Sequence, residues 1–404
     1  MQALPEADRS RGPKPAIPVT IVTGFLGAGK TSLLNRLVRD PALAGTGFII
    51  NEFGEIGIDH LLVEAADDGI VELSSGCLCC TVRGELVTTL ENFLRGLDNG
   101  RIDTLSRIVI ETTGLADPVP VLATLTNHPY LSLRYAIDGV ITVVDAVNGG
   151  RTLDEHEEAV KQVAVADRLV IAKADLAEGA ARLPALRRRL AALNPGAPLV
   201  DAATALPADL LGCGLFDPAT KTADVRRWLN AEAFAGAGEH RHDHDHDCTG
   251  GNCDHPGHHH HHGGHHHHHE DAESRHDGVS AFSLVSDGAL PAGALEMFLE
   301  LLRAAHGPKL LRLKGVVRLA EDPERPLVVH AVQELFHPPV RLAGWPDADR
   351  RTRLVFITRD LAEDEVKRLF DAFAGVLAPD TPDRRAMTDN PLALSGFTPP
   401  SRRA

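Results

Sequence analysis

Eight consecutive residues, Gly24-Phe25-Leu26-Gly27-Ala28-Gly29-Lys30-Thr31, have the types and the order of a phosphate-cradling loop, G-x-x-x-x-G-K-[ST]. The glycines let successive backbone N–H groups converge on phosphate oxygens. Lys30 has the reach for β- and γ-phosphates, and the Thr31 hydroxyl suits Mg²⁺. A helix expected from about Thr31 adds the positive end of its dipole. The nucleotide-holding set is therefore Gly24, Gly27, Ala28, Gly29, Lys30, Thr31 and Ser32. Such a loop names neither the base nor the reaction.

Two later segments narrow it. Glu111-Thr112-Thr113-Gly114 follows a run of buried-strand character, Ile108-Val109-Ile110. In that place a carboxylate holds Mg²⁺ or orients the attacking water, and the Gly114 N–H can sense a γ-phosphate. Lys30, Thr31, Glu111 and Gly114 are the candidate catalytic groups. Ala172-Lys173-Ala174-Asp175 also follows an apolar run and resembles the guanine-reading Asn-Lys-x-Asp. Asp175 would accept two hydrogen bonds from guanine, and the Lys173 stem would pack on the base. Ala172 stands where Asn is usual, so GTP is favoured while ATP stays open.

Soft metal ligands form a second constellation. Cys77, Cys79 and Cys80 fall within four residues. Three thiolates suit Zn²⁺ and leave one of four positions open, as a site that passes its metal on requires. A redox thiol pair and inert cysteines are the alternatives. Glu52, Glu55 and Asp59 lie just upstream, where a nucleotide-responsive segment would fall, and Glu55 is the candidate extra ligand. Further on, His242, His244 and His246 alternate with Asp, then come Cys248, Cys253 and two runs of five His. Neutral imidazoles take Zn²⁺, Co²⁺ or Ni²⁺, and many on one tether raise the local ligand concentration. An inert linker and an internal tag are the alternatives.

The elements that position these groups alternate strand and helix. Strands are expected over 17–23, 47–51, 106–111, 139–144, 168–172 and 198–201. Helices are expected over 31–39, 84–97, 153–166 and 183–193. That order implies βαβ units and a mainly parallel sheet, an α/β domain over 17–235. Residues 1–16 read as a disordered arm, and 236–277 as a disordered His/Asp-rich linker. A smaller α+β domain follows over 278–375, with strands at 279–285, 310–319, 327–334 and 353–357 and helices at 294–306 and 362–373. A loose tail, 376–404, ends the chain.

Composition excludes other classes. The 404 residues carry a net charge of −15, but 239–277 alone hold nine acids against two bases, together with 16 of the 22 His. A pI near 5.8 argues against nucleic-acid binding. No apolar run reaches the length of a membrane span, and Met1–Pro18 lacks a signal-peptide apolar core. Six cysteines in such a chain suggest a reducing cytoplasm rather than a disulfide framework.

Segments 24–31, 51–59, 76–80, 111–118 and 172–175 occur in the order found in the CobW-type P-loop GTPases, which the chain resembles. The Cys-x-Cys-Cys is that family's mark. Residues 312–318, 328–333 and 351–357 resemble its C-terminal domain, so the similarity spans about 17–365. The resemblance implies cytoplasmic metallochaperones that hydrolyse GTP and hand a metal, often zinc, to client metalloproteins. Relatives deliver nickel to hydrogenase and urease, serve cobalt in cobalamin synthesis, or activate nitrile hydratase. By analogy Cys77, Cys79 and Cys80 carry the cargo, and Lys30, Thr31 and Glu111 the nucleotide chemistry. A cobalt-handling protein and a metal store with little turnover remain alternatives, as does an ATP-using kinase or ligase with a structural zinc. The second domain either meets the client or closes over the first. The state of oligomerisation, a homo-oligomer included, stays open.

Overall fold

The computed structural model describes residues 15–50, 70–72, 81–212, 229 and 278–375. Nearly all of the expected N-terminal arm, the whole His-rich linker and the tail lie outside the described residues.

The first domain begins with β1 (Ile17–Thr23), α1 (Lys30–Val38), β2 (Thr46–Ile50), β3 (Ile70–Glu72), α2 (Thr81–Asp98) and β4 (Arg107–Glu111). It continues with α3 (Val119–Asn127), α4 (Leu131–Arg134), β5 (Tyr135–Asp145), α5 (Gly149–Glu155) and α6 (Glu157–Ala164). The remaining elements are β6 (Arg168–Ala172), α7 (Ala177–Leu193), β7 (Leu199–Asp201) and α8 (Pro207–Leu210). The seven strands lie in the order β3-β2-β4-β1-β5-β6-β7, all parallel. Strands covered on both faces read as continuous apolar runs, and β1, β4 and β6 do so. With every pair parallel, the C-terminal ends of β1, β4 and β6 share one edge, where ligands of open α/β sheets bind.

Several details differ from the sequence-based expectation, among them β5, which starts at Tyr135 rather than 139, and α8, which was not expected. The strand β3 was not expected, because three residues give no readable period. The short α3 and α4 were not expected either; α3 starts on Val119-Pro120, where Pro favours the first turn. The helix expected over 153–166 is two helices, broken at His156, whose φ of −134° and ψ of 113° are extended. Finally, α7 starts at Ala177 rather than Leu183 and carries Pro184 inside it. Pro184 resembles a helix start, but the exposed face lets water take up the carbonyl it frees.

The second domain holds β8 (Val279–Ser286), α9 (Ala292–His306), β9 (Leu310–Val317), β10 (Leu327–Val332), β11 (Leu335–Phe336), β12 (Val340–Arg341), β13 (Thr352–Arg359) and α10 (Glu363–Phe373). Its sheet runs β11-β10-β9-β13-β8 and is antiparallel, with β12 on β10. The expected strand over 327–334 stops at Val332, because Gln333 turns at φ 51° and Val332 pairs with Leu335. Strand alternation, with the β9–β13 register shifted at Leu311, divides the domain's apolar residues. Leu313, Leu354 and Phe356 face α9 and α10 in one cluster. Leu311, Val316, Val355 and Ile357 face Ala164 of the first domain in another. The sheet is thus sandwiched between its own helices and its neighbour.

A buried polar cluster crosses that contact. Asp167, just before β6, accepts from Lys314 Nζ at 2.9 Å and from Arg312, while Arg312 also donates to the Val165 carbonyl. The other Asp167 oxygen accepts the Val140 N–H at 3.0 Å. Burial alone would raise the Asp167 carboxyl, but Arg312 and Lys314 hold it far below the usual carboxylate range.

Candidate nucleotide and metal-handling site

The loop between β1 and α1 takes its shape from its glycines. Gly24 has φ 140°, and a Cβ there would sit 2.3 Å from the Val143 carbonyl of β5, so only glycine fits. Gly29 caps α1 at φ 101°, and Gly27 turns at φ 70° with open space around it. The Ala28 N–H donates to the Phe25 carbonyl at 3.1 Å. Lys30 folds back beneath the loop and donates to the Gly24 and Phe25 carbonyls at 2.9 and 3.3 Å. Burial lowers the Lys30 pKa, and the nearby Glu111 carboxylate partly offsets that. Ser32 follows in the first turn of α1 and is exposed.

The pairing of β1 with β4 brings Glu111 opposite Val22, beside the loop. Thr31 Oγ1 donates to Glu111 Oε1 at 3.4 Å. Two oxygens on adjacent positions of an octahedral Mg²⁺ at about 2.1 Å lie about 3 Å apart. The hydroxyl and carboxylate are therefore spaced to accept that ion with little movement. Thr112 is tied to the end of β1 by its N–H on the Val22 carbonyl and by a 2.8 Å hydroxyl bond to Thr23. Buried beside it, the Thr113 hydroxyl has no hydrogen-bond partner among the described residues. Gly114 then presses on the loop: a Cβ there would come within 2.5 Å of the Leu26 nitrogen. Lys30, Thr31, Glu111 and Gly114, some 80 residues apart in sequence, thus converge.

Lys173, at the end of β6, adopts φ 59°. Its Nζ donates to the Gly27 carbonyl at 2.7 Å and to Asp145 at 2.8 Å, which ties the segment 172–175 to the loop between β1 and α1. Burial would raise the Asp145 carboxyl, but bonds from Lys173, the Val147 N–H and Asn148 overcome it and leave the pKa lowered. Ala172 presents only a methyl group to Gly29. Asp175 is exposed in the turn before α7. Phe25 stacks on His156 at 4.4 Å, closing one wall of a pocket of about 270 Å³ beside the loop.

Some of the groups that shape this site escaped the sequence reading. Asp145 fixes Lys173. Gln162 bonds to the Gly114 turn. Gly179 lets α7 close on the Lys173 carbonyl, which a Cβ would meet at 2.1 Å. None of the three carried a readable signal; Gly179 lies ahead of the helix expected from Leu183 and inside α7 only in the structure.

The expected cargo ligands Cys77, Cys79, Cys80 and Glu55, the segment 51–59, and the expected metal-gathering His242, His244, His246, Cys248 and Cys253 lie outside the described residues. Among the described residues no three His, Cys, Asp or Glu form a metal-holding group. Of the elements next to these segments in sequence, β2 ends at Ile50, β3 ends at Glu72 and α2 starts at Thr81.

Residues 18–201 match the family model of the CobW/HypB/UreG nucleotide-binding domain, and residues 279–374 that of the cobalamin synthesis protein cobW C-terminal domain. The zinc chaperone YjiA of Escherichia coli is 31% identical over 360 residues, which cover 89% of this chain and 98% of that one. The chain belongs to the CobW family. A second relative, the zinc chaperone CobW of Sinorhizobium, is 40% identical over 150 residues, 35% of this chain and 41% of its own. The zinc-regulated GTPase metalloprotein activator 1 of Schizosaccharomyces pombe is 36% identical over 192 residues, 46% of this chain and 45% of its own. Among solved structures, the Zn(II)-bound YjiA GTPase superposes with a TM-score of 0.61 at 27% identity, over 89% of this chain and 99% of that one. The CobW-type architecture, a parallel nucleotide-binding domain followed by an antiparallel second domain, is thus common to both. No described helix is long and apolar enough to cross a membrane.

Proposed function

We propose that this CobW-family chain is a GTP-hydrolysing metallochaperone that carries zinc and delivers it to a client metalloprotein in the cytoplasm. The observation that carries the reading is the convergence at one sheet edge of Lys30, the Thr31–Glu111 pair, the Gly114 turn and Lys173. The names of the relatives, zinc chaperones and a GTPase metalloprotein activator, supply the cargo and the client class.

The backbone N–H groups of 24–31 and Lys30 hold the phosphates, and Lys30 lies against the charge that builds on the γ-phosphoryl group. Thr31 and Glu111 would hold Mg²⁺, which neutralises β- and γ-oxygens when bound. Glu111 also orients the attacking water. Asp175 reads guanine, and Lys173 fixes the reading loop to the phosphate loop. Cys77, Cys79 and Cys80, with Glu55, hold the zinc being carried. The linker imidazoles and thiols, His242, His244, His246, Cys248 and Cys253, gather metal for that site. The nucleotide acts on zinc because the segment 51–59 and the thiol run both connect to strands of the nucleotide-holding sheet. The triphosphate sets one ligand geometry, and hydrolysis releases it.

Steady-state hydrolysis of GTP and ATP by the intact protein and by Lys30→Ala tests the enzymatic half. GTP turnover that is lost in the variant supports the reading. Preference for ATP, or phosphate release independent of Lys30, would contradict it.

A further inference from the structure

The turn that follows Glu111 is gripped from two sides. Gln162 on α6 is 1% exposed, and its Nε2 donates to the Gly114 and Ala116 carbonyls at 3.1 and 3.0 Å. The Gln162 backbone carbonyl accepts the Thr142 hydroxyl of β5 at 2.6 Å. Gly114 already touches Leu26 of the phosphate loop, so the turn has no slack on that side. The second grip comes from the other domain. Gln333 Nε2 donates to Asp117 Oδ2 at 2.9 Å, while Asp117 Oδ1 accepts the Val119 N–H that opens α3.

Gln333 is itself firmly held. It sits at φ 51° in the hairpin between β10 and β11, and its N–H donates to the Leu311 carbonyl at 3.1 Å. Its neighbours Val332 and Leu335 are buried in the first domain's own apolar cluster, alongside Leu122 and Leu125 of α3. The hairpin is therefore a second-domain peg seated in the first domain, with its polar tip on the γ-phosphate turn.

We propose that Gln162 and Gln333 are positioning residues for hydrolysis, and that through Gln333 the second domain senses whether the Gly114 turn is holding a triphosphate. The inference rests on the GTPase reading. A backbone N–H that stabilises developing charge must be placed within a few tenths of an ångström, and a buried amide bridging two carbonyls of one turn does that. Coupling between sites is reciprocal. A γ-phosphate that orders the turn tightens the Asp117–Gln333 contact, and a seated hairpin favours triphosphate over diphosphate.

GTP turnover is measured for the intact protein, Gln333→Ala and Gln162→Glu, with Lys30→Ala as the inactive reference. Loss of the hydrogen bond to the Asp117 carboxylate in Gln333→Ala should lower kcat about tenfold and leave KM within about twofold. Gln162→Glu should lower kcat about tenfold or more near neutral pH. Its activity relative to the intact protein should recover in part as pH falls, because a protonated carboxyl has one O–H and can restore one of the two bonds while a carboxylate can restore neither. A kcat unchanged in both variants overturns the inference while leaving the GTPase reading in place; an intact protein without GTP turnover overturns the reading itself. A second measurement needs no variant. Amides of 332–335 in the intact protein should exchange with deuterium more slowly with a non-hydrolysable GTP analogue than with GDP, and equal exchange overturns the sensing role.

Discussion

Lys30 and Gly24 show two ways in which one residue type becomes obligatory. Lys30 spans its own loop by two carbonyl bonds and sits where a phosphate would take over those contacts. Lys30→Ala should lower kcat/KM for GTP by about 100-fold or more, the size of loss seen when one donor to developing charge is removed. Gly24 faces the Val143 carbonyl at a distance no side chain tolerates. Gly24→Ala should therefore abolish nucleotide binding by titration calorimetry, whereas Gly27→Ala, with open space around it, should retain measurable affinity. On the proposed reading, Asp175→Ala should reduce the preference for GTP over ATP, measured by nucleotide competition, by about 10- to 100-fold, because the guanine donors lose their acceptor. The phosphate loop was legible in sequence because its eight residues are contiguous and each has a backbone or charge reason. Gln162 and Gln333 were not, since their side-chain partners lie 46 to 216 residues away and a lone glutamine has no spacing to read.

Elements were legible in proportion to their length and burial. The buried strands β1, β4, β6 and β13 show as apolar runs, and α9 and α10 by their period. The break at His156 and the early start of α7 were not, because the cues there, a continuing apolar period and a proline, point the other way. The contact of β9 with the first domain has its own consequence. Asp167, Arg312 and Lys314 are buried together, so Arg312→Met leaves a buried carboxylate short of one partner. It should destabilise the protein by about 3–5 kcal/mol in denaturant unfolding. Two stacked histidines, His330 and His337, lie 4.7 Å apart beside this cluster. Burial holds the His330 pKa well below its ordinary value and lowers that of His337 to about 4. Between pH 6.5 and about 4 the unfolded chain binds protons that the folded His337 refuses, so stability falls as the pH falls. Asp167, with its folded pKa depressed, stabilises above its unfolded value and adds to the loss at still lower pH. The melting temperature should drop between pH 7.5 and 5, and His337→Phe should flatten that drop; a melting temperature independent of pH over this range would sink the assignment.

At the scale of the whole molecule, the charge of −15 belongs to two folded domains and the acidic, histidine-loaded stretch between them. Deleting 239–277 should lower bound zinc per chain, measured by elemental analysis of protein purified without a nickel column, and leave GTP turnover within about twofold. The two domains share a buried face, and through Gln333 the second reaches the segment that follows Glu111. The central claim is that the nucleotide state governs the hold on zinc. Its most direct test is zinc affinity, by competition with a chromophoric chelator, for the intact protein with a non-hydrolysable GTP analogue, with GDP and with no nucleotide. A coupling of typical size gives affinities that differ by about tenfold or more between the GTP analogue and GDP. Equal affinities in all three states would contradict the claim.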